Sequence, residues 1–291
     1  MNGIIIVDKP KGKSSHDMVS VMRRLTKIRR IGHTGTLDPM ATGVLPICIG
    51  CATKAADMLT LSDKCYRAEM ILGKTTSTLD AEGEILEERE VNVTEEKIRY
   101  ALKSFEGEIW QTPPMYSAIK QNGKKLYELA REGIEVERKP RRVTINEINM
   151  LEIDGSRIVF EVGCSKGTYI RTLCDDIGKR LGTGAYMNEL RRIKTGCFTI
   201  NEAYTVEELT ELAENGRLEE RLISVDKLFS DYDEIHLNEK QTKSIMNGVR
   251  MSWRGKHEGE MLRLYDNNGK FICISQIEDG KLRLVKSFWS C

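Results

Sequence analysis

One acidic and one imidazole side chain lie close together in a glycine-rich stretch, residues 30–43, with the sequence RIGHTGTLDPMATG. Its three glycines allow backbone conformations that other residues disfavour, and Asp38 precedes Pro39, which biases Asp38 away from the helical conformation. We therefore predict a long ordered loop that holds the Asp38 carboxylate and the His33 imidazole in fixed places. Five of the eight residues from 23 to 30 are basic. A lone carboxylate beside these cations indicates acid chemistry on a polyanion.

A purely structural role for Asp38 and His33 is the alternative. Asp-Pro is a common turn starter, and an aspartate in a glycine-rich loop usually accepts hydrogen bonds from backbone amides. A loop histidine is more often an ordinary surface residue than a functional one. In isolation these roles are favoured, so the choice depends on the rest of the chain.

The chain has 291 residues, 40% of them hydrophobic, which suffices for a large core and one or two domains. Its formal net charge is only +1, so nucleic-acid binding has to depend on local basic clusters. No apolar run approaches the length of a membrane span, and residues 1–4 lack the features of a signal peptide. We therefore expect a cytoplasmic protein that does not contact a membrane.

Two short sequence patterns could suggest a metal-binding or a nucleotide-binding site. Cys48 and Cys51 have the C-x-x-C spacing, but a structural zinc site needs two more ligands, and the sequence has no second C-x-x-C or H-x-x-x-H pair. Residues 12–14, GKS, resemble the end of a phosphate-binding loop, but the glycine required five positions earlier is Val7. We predict neither a metal nor a nucleotide, and we expect Cys48 to be a small buried residue.

The hydrophobic pattern predicts strands and helices up to about residue 230, and short strands after it. A protruding insertion is predicted from Gln111 to Arg142, because this segment contains prolines, glycines and the basic cluster at residues 138–142. In the last 60 or so residues, Asn268-Gly269 and Asp279-Gly280 predict two hairpins. The tail therefore indicates a small β domain.

Seven stretches of the sequence resemble the TruB family, the tRNA pseudouridine-55 synthases, and they follow one another in the family's order. The glycine-rich loop resembles the signature G-H-T-G-x-L-D-P-x-A-T-G. The other stretches are Gly3–Pro10, Asp63–Tyr66, Pro114–Lys120, Ala130–Gly133, Cys164–Leu173 and Leu190–Arg192. The resemblance is close over residues 3 to 200 and looser afterwards. One short pattern would carry little weight, whereas seven in register argue strongly against chance.

The resemblance implies an α+β fold, the pseudouridine synthase fold, with a central mixed or antiparallel sheet and a small C-terminal PUA-like β domain. The catalytic domain would span residues 1–230, with an RNA-gripping insertion at about 111–142. The PUA-like RNA-binding domain would span residues 231–291. Without the resemblance, the basic cluster of the insertion would be interpreted as a solvated surface.

The implied reaction breaks the bond between C1′ and N1 of a uridine, turns the base and joins C1′ to C5. It adds no atoms and involves no redox change, so no cofactor is expected. Asp38 would attack C1′, as carboxylates do in covalent catalysis at sugars, or act as the base that forms a glycal. The sequence leaves these two routes open.

The resemblance also assigns roles around Asp38, once the target uridine has flipped out of its loop. Arg171 would pair with Asp38 and orient it, and Tyr169 would place a hydroxyl near the base and help to remove the C5 proton. The substrate-binding residues would be His33 in the space vacated in the RNA loop, Tyr66 stacked on the base, Leu190 as an apolar wall, and Arg141 and Arg142 on the RNA.

The implied substrate is uridine 55 in the T arm of tRNA, bound by a monomer without a guide RNA. One alternative is a non-catalytic RNA-binding or tRNA-folding protein, which is disfavoured because the four chemical residues Asp38, Tyr66, Tyr169 and Arg171 are all present. The other is a guide-dependent synthase, which is disfavoured because such relatives lack the insertion. An Asp38 that opens into a cleft near basic side chains would favour catalysis.

Overall fold

The computed structural model describes residues 1–60, 62–121, 123–255 and 257–289. The strands are β1 (Gly3–Lys9), β2 (Ile31–His33), β3 (Thr42–Ile49), β4 (Lys64–Leu72), β5 (Lys74–Thr76), β6 (Ile85–Glu88), β7 (Gly107–Gln111), β8 (Lys120–Gln121), β9 (Lys124–Lys125), β10 (Arg141–Asp154), β11 (Arg157–Cys164), β12 (Ala185–Thr195), β13 (Phe198–Thr199), β14 (Asp233–His236), β15 (Met251–Ser252), β16 (Met261–Tyr265), β17 (Phe271–Glu278) and β18 (Lys281–Ser287). The helices are α1 (Ser15–Thr26), α2 (Ala56–Thr60), α3 (Glu95–Lys103), α4 (Leu126–Arg131), α5 (Ile170–Leu181), α6 (Val206–Glu214) and α7 (Glu239–Met246).

The larger sheet has the strand order β1-β3-β12-β4-β11-β10-β7, with β2 added to β3 and β13 to β12. Neighbouring strands are antiparallel except β3 and β12, which are parallel. Helices α1, α3, α5 and α6 contribute apolar side chains to one continuous core on one face of this sheet. The predicted α+β class with a central mixed sheet is confirmed.

Local sequence signals fix the start of α1 and the end of α5. Ser14 caps α1 and forms a reciprocal capping box with Asp17, as the residues Ser14 and Asp17 favour. Helix α5 ends at Gly182, whose φ of 77° is a left-handed conformation that glycine adopts readily. In the part of the chain that the structure describes, no helix is both long and apolar enough to cross a membrane.

Strands β3 and β12 approach each other unusually closely where the glycine-rich loop ends. A Cβ atom on Gly43 would lie 2.2 Å from the Arg192 backbone oxygen, and Gly43 has a φ of 101°. Only glycine fits both restrictions. This contact therefore fixes the loop that carries Asp38 against the strand that carries Leu190 and Arg192.

The two ends of the predicted insertion, Gln111 and Arg142, belong to paired strands of the larger sheet. Arg141 pairs with Gln111, and Arg142 pairs with Trp110, as parts of the antiparallel strands β10 and β7. The chain therefore leaves the sheet after Gln111 and returns to it at Arg141. Arg141 and Arg142 belong to the edge of the sheet, because pairing with a distant strand overrides the local proline and charge signals.

The smaller sheet has the strand order β14-β16-β17-β18-β15 and contains both predicted hairpins. Its Phe271 and Phe288 pack against Phe229, with ring centroids 5.2 to 6.0 Å apart. This cluster continues into side chains on the back of β1 and β3, including Ile4 and the fully buried Cys48. Burial raises the pKa of the Cys48 thiol to about 12, so the prediction of a small buried residue is confirmed.

Candidate active site

A single pocket brings together most of the predicted residues from four separate parts of the chain. The loop after β2 supplies Asp38, β4 supplies Tyr66, the start of α5 supplies Tyr169 and Arg171, and β12 supplies Leu190. Lys64, Ser117 and Arg192 also line it. Asp38 therefore opens into a cleft whose walls carry cations.

Arg171 and Asp38 form the central ion pair of this pocket. The guanidinium Nη2 atom lies 3.0 Å from Asp38 Oδ2, and the Arg171 side chain is 6% exposed, compared with 42% for Asp38. Nη2 also donates to the Tyr116 carbonyl at 2.7 Å, and Nη1 donates to the Thr78 carbonyl at 3.3 Å. The buried arginine thus fixes a carboxylate that remains open to the cleft.

A second carboxylate, Asp80, completes the coordination of Arg171. Its Oδ2 atom accepts from Arg171 Nη1 at 3.1 Å, and the side chain is 4% exposed. Its Oδ1 atom accepts from Thr78 Oγ1 and from the Glu82 amide, as in an ordinary aspartate turn. Only such a turn is recognisable from the residues around Asp80, because Asp80 and Arg171 are 91 positions apart in the chain and no local pattern signals their contact.

Replacing Asp80 by asparagine should therefore lower both stability and the rate of isomerisation. It leaves the buried guanidinium with one carboxylate instead of two, and breaking a buried pair costs about 3 kcal/mol or more. The measurements are urea unfolding and single-turnover isomerisation. Asp175→Asn is the control, because Asp175 is also buried but pairs with the exposed Lys179, away from the pocket. An Asp80→Asn variant with the parent's rate would contradict a role in orienting Arg171.

Tyr169 is held through its backbone by the buried side chain of Gln111. The Tyr169 amide donates to Gln111 Oε1 at 2.7 Å, and Gln111 Nε2 donates to the Tyr169 carbonyl at 3.0 Å. Burial raises the pKa of the Tyr169 hydroxyl above its ordinary value. The hydroxyl is therefore a neutral phenol near pH 7, which can relay a proton by passing on its own as it takes one up, but does not provide a phenolate base.

Tyr66 lies on β4 opposite Arg192 of β12, and Leu190 lies opposite Ala68, two residues further along both strands. Tyr66, Leu190 and Arg192 all line the pocket. Burial raises the pKa of the Tyr66 hydroxyl, and the Arg192 charge opposes that effect. Arg192 is 1% exposed and donates to the carbonyls of Val44 at 2.7 Å and Gly35 at 3.2 Å. It was not predicted as a site residue, although it lies in one of the family-like stretches.

Two buried lysines support the pocket and were also not predicted. Lys9 Nζ donates to three carbonyls, including that of Pro39 next to Asp38 at 3.1 Å. Lys64 Nζ donates to the carbonyls of Thr60 at 2.8 Å and Ser62. Burial lowers the pKa of each ammonium group from 10.5 to about 8. Both remain largely charged at pH 7 and tie loop carbonyls to the sheet.

The remaining predicted residues lie at the edge of the site. His33 ends β2 and is absent from the pocket lining; burial lowers its pKa, so it is neutral near pH 7. Arg141 is exposed but close enough to Tyr169 to influence the pKa of its hydroxyl. Arg142 forms an ion pair with Glu108. The geometry thus gathers Asp38, Tyr66, Tyr169, Arg171 and Leu190, and leaves the others outside.

Family models match three consecutive parts of the chain. Residues 23–170 match the model for the TruB family pseudouridylate synthase N-terminal domain. Residues 171–234 match the tRNA pseudouridylate synthase B C-terminal domain, and residues 234–284 match pseudouridine synthase II TruB, C-terminal. Together these matches cover almost the whole chain and define a pseudouridylate synthase.

Similar proteins and structures agree with this class. Proteins named tRNA pseudouridine synthase B are 44% identical in Clostridium perfringens, over 98% of both chains, and 50% identical in Alkaliphilus oremlandii, over 86% of this chain and 83% of that one. A crystal structure of a Cbf5-Nop10-Gar1 complex contains a chain with a TM-score of 0.75 and 27% identity, which covers 99% of this chain and 85% of that one. The chain belongs to the TruB family, and the predicted resemblance is confirmed.

Proposed function

We propose that this protein isomerises one uridine of a tRNA to pseudouridine, and that Asp38 acts at the sugar C1′. The observation that carries the proposal is the Arg171–Asp38 pair at 3.0 Å, which aims a partly exposed carboxylate into a pocket with an aromatic and an apolar wall. The relatives named tRNA pseudouridine synthase B supply the substrate class. Membership of the TruB family supplies the reaction.

The pocket suits each step of this isomerisation. A flipped uracil fits against Tyr66 and Leu190, since base–aromatic stacking is worth roughly 1–3 kcal/mol. Asp38 attacks C1′ or removes a proton to form a glycal, and N1 leaves with the bonding electrons. The base turns, and C5 bonds to C1′ as the bond between Asp38 and C1′ breaks or, on the glycal route, as Asp38 returns its proton to C2′. The proton on C5 then passes to water, with the Tyr169 hydroxyl as the neighbouring group that relays it, and N1 takes up a proton from solvent.

The target within the tRNA is proposed to be uridine 55 in the T arm. Such a loop is recognised mainly through its shape and phosphates, and the flipped base provides the chemistry. The test is incubation of the protein with an unmodified tRNA transcript, followed by mapping of pseudouridine. A transcript with cytidine at position 55 is the matched control. Modification at another position of the parent transcript would refute the proposed site.

A non-catalytic RNA-binding or tRNA-folding role is the second candidate. The open, arginine-paired Asp38 favours catalysis, because binding alone does not need an exposed carboxylate facing an anionic ligand. Independence from a guide RNA is proposed from the segment between Gln111 and Arg141, which leaves the sheet beside the pocket. We propose that the protein acts as a monomer, with residues 1–230 as catalytic domain and residues 231–291 as RNA-contacting domain.

Arg141 and Arg142 should contribute unequally to tRNA binding. Among the described residues Arg141 has no ion pair, whereas Arg142 is bound to Glu108. Arg141→Gln should therefore reduce the slope of log affinity against log salt by about 0.7–0.9, the value of one phosphate contact. Arg142→Gln should reduce it less. Arg99→Gln, which removes an exposed arginine paired with Glu95 on α3, is the control. Equal slopes for parent and Arg141→Gln would exclude a phosphate contact at Arg141.

A further inference from the structure

The hydroxyl of Ser117 is a buried polar group in the pocket that the proposed reaction does not yet use. Ser117 is 5% exposed and lines the pocket together with Asp38 and Tyr169. Its Oγ atom makes no well-formed hydrogen bond to any described residue, although the Tyr169 hydroxyl lies beside it. Buried hydroxyls are normally hydrogen-bonded, so an exception in a cleft calls for a partner that arrives with the ligand.

The backbone around Ser117 is fixed, so its hydroxyl has a defined position. The Ser117 amide donates to the Met115 carbonyl at 2.9 Å, and the Ser117 carbonyl accepts from the Tyr127 amide at 3.1 Å. The preceding carbonyl, of Tyr116, accepts from Arg171 at 2.7 Å. Ser117 is therefore anchored both to α4 and to the arginine that holds Asp38.

We propose that the Ser117 hydroxyl hydrogen-bonds to the base edge of the flipped uridine and is a substrate-contacting residue of this pocket. This inference depends on the proposed function. A hydroxyl both donates and accepts, so it can bond to a uracil carbonyl or to the N3–H group. The base edge is the favoured partner because Ser117 lies beside Tyr169, the residue that faces the reacting base in the proposed mechanism.

The test combines activity with stability in Ser117→Ala. Single-turnover kcat/KM on tRNA should fall about tenfold, as expected for the loss of one hydrogen bond in a buried site. The melting temperature should equal or exceed that of the parent, because the substitution removes a buried hydroxyl that makes no well-formed hydrogen bond to the described residues. A lower melting temperature with a proportional loss of activity would overturn the proposal and make Ser117 a structural residue.

Two further variants sharpen the test. Thr242→Val is the matched control, since Thr242 Oγ1 is also buried without a partner among the described residues but lies on α7, outside the pocket; its kcat/KM should be unchanged. Ser117→Cys keeps the size and a weak donor, so its kcat/KM should lie between those of the parent and Ser117→Ala. A Ser117→Cys variant that is no more active than Ser117→Ala would overturn the hydrogen bond.

The atom of the uridine that bonds to Ser117 is identified by measuring how tightly the parent and Ser117→Ala bind a T-arm RNA with either uridine or 2′-deoxyuridine at the target position. If Ser117 contacts the base, Ser117→Ala should weaken the binding of the ribose and deoxyribose RNAs by the same factor. A penalty that vanishes for the deoxyribose RNA would identify the 2′-hydroxyl as the partner and overturn the base contact. Ser117→Ala with full activity would refute this inference alone, whereas a parent protein inactive on tRNA would refute the proposed function.

Discussion

Replacing Asp38 by asparagine should leave no detectable pseudouridine while tRNA binding stays within about tenfold of the parent, because the phosphate contacts that dominate affinity remain. Asparagine keeps the shape of the side chain but can neither attack C1′ nor remove a proton. Arg171 retains Asp80 and the Tyr116 carbonyl as partners, so the pocket should keep its structure. The measurement is single-turnover isomerisation with enzyme in excess, together with a filter-binding titration of tRNA.

Asp8→Asn is the control for Asp38→Asn. Asp8 also pairs with an arginine, Arg191, at 2.6 Å, but it does not line the pocket. It should retain the parent's rate. Full turnover by Asp38→Asn would refute the assignment of Asp38 as the catalytic carboxylate.

Tyr169→Phe should slow isomerisation by about 10²–10⁴-fold with little change in binding, the usual contribution of a positioned acid–base group. The substitution removes only the hydroxyl and leaves the backbone bonds to Gln111 in place. Because burial raises the pKa of this hydroxyl, the rate of the parent should not rise steeply between pH 7 and 9 through its ionisation. The measurement is the single-turnover rate at saturating enzyme, over that pH range.

Tyr66→Phe separates stacking from proton transfer. It keeps the ring that would contact the base, so the rate should fall only modestly if stacking is the main task of Tyr66.

Tyr169→Phe with the parent's rate would show that the Tyr169 hydroxyl is not required. The C5 proton would then leave through another group or through water.

The parts of the fold that depend on local chemistry were predictable from the sequence. The cap at Ser14, the stop at Gly182 and the C-terminal hairpins each follow from one or two residues. The pocket residues Asp38 and Arg171 were identified through motifs that resemble a known family. The structure brings their side chains, which come from distant parts of the chain, to within 3.0 Å of each other.

The site residues that were not predicted from the sequence act through contacts between segments that are distant in the chain. Asp80 has the appearance of a turn residue and also binds Arg171, and a sequence shows only the first of these roles. Lys9 and Arg192 lie within family-like stretches, but their burial against carbonyls depends on how the loops cross the sheet. Arg141 and Arg142 were placed in the insertion because strand pairing with residues 110 and 111 is not visible locally.

The aromatic cluster of Phe229, Phe271 and Phe288 gives the C-terminal sheet a second task besides any contact with RNA. It covers the apolar back of β1 and β3, where Ile4 and Cys48 are fully buried. Removal of residues 231–291 would expose this surface to water and favour aggregation. The C-terminal sheet therefore keeps an apolar surface of the larger sheet out of water. Any contribution of the C-terminal sheet to tRNA affinity is best isolated by charge substitutions on its exposed face rather than by truncation.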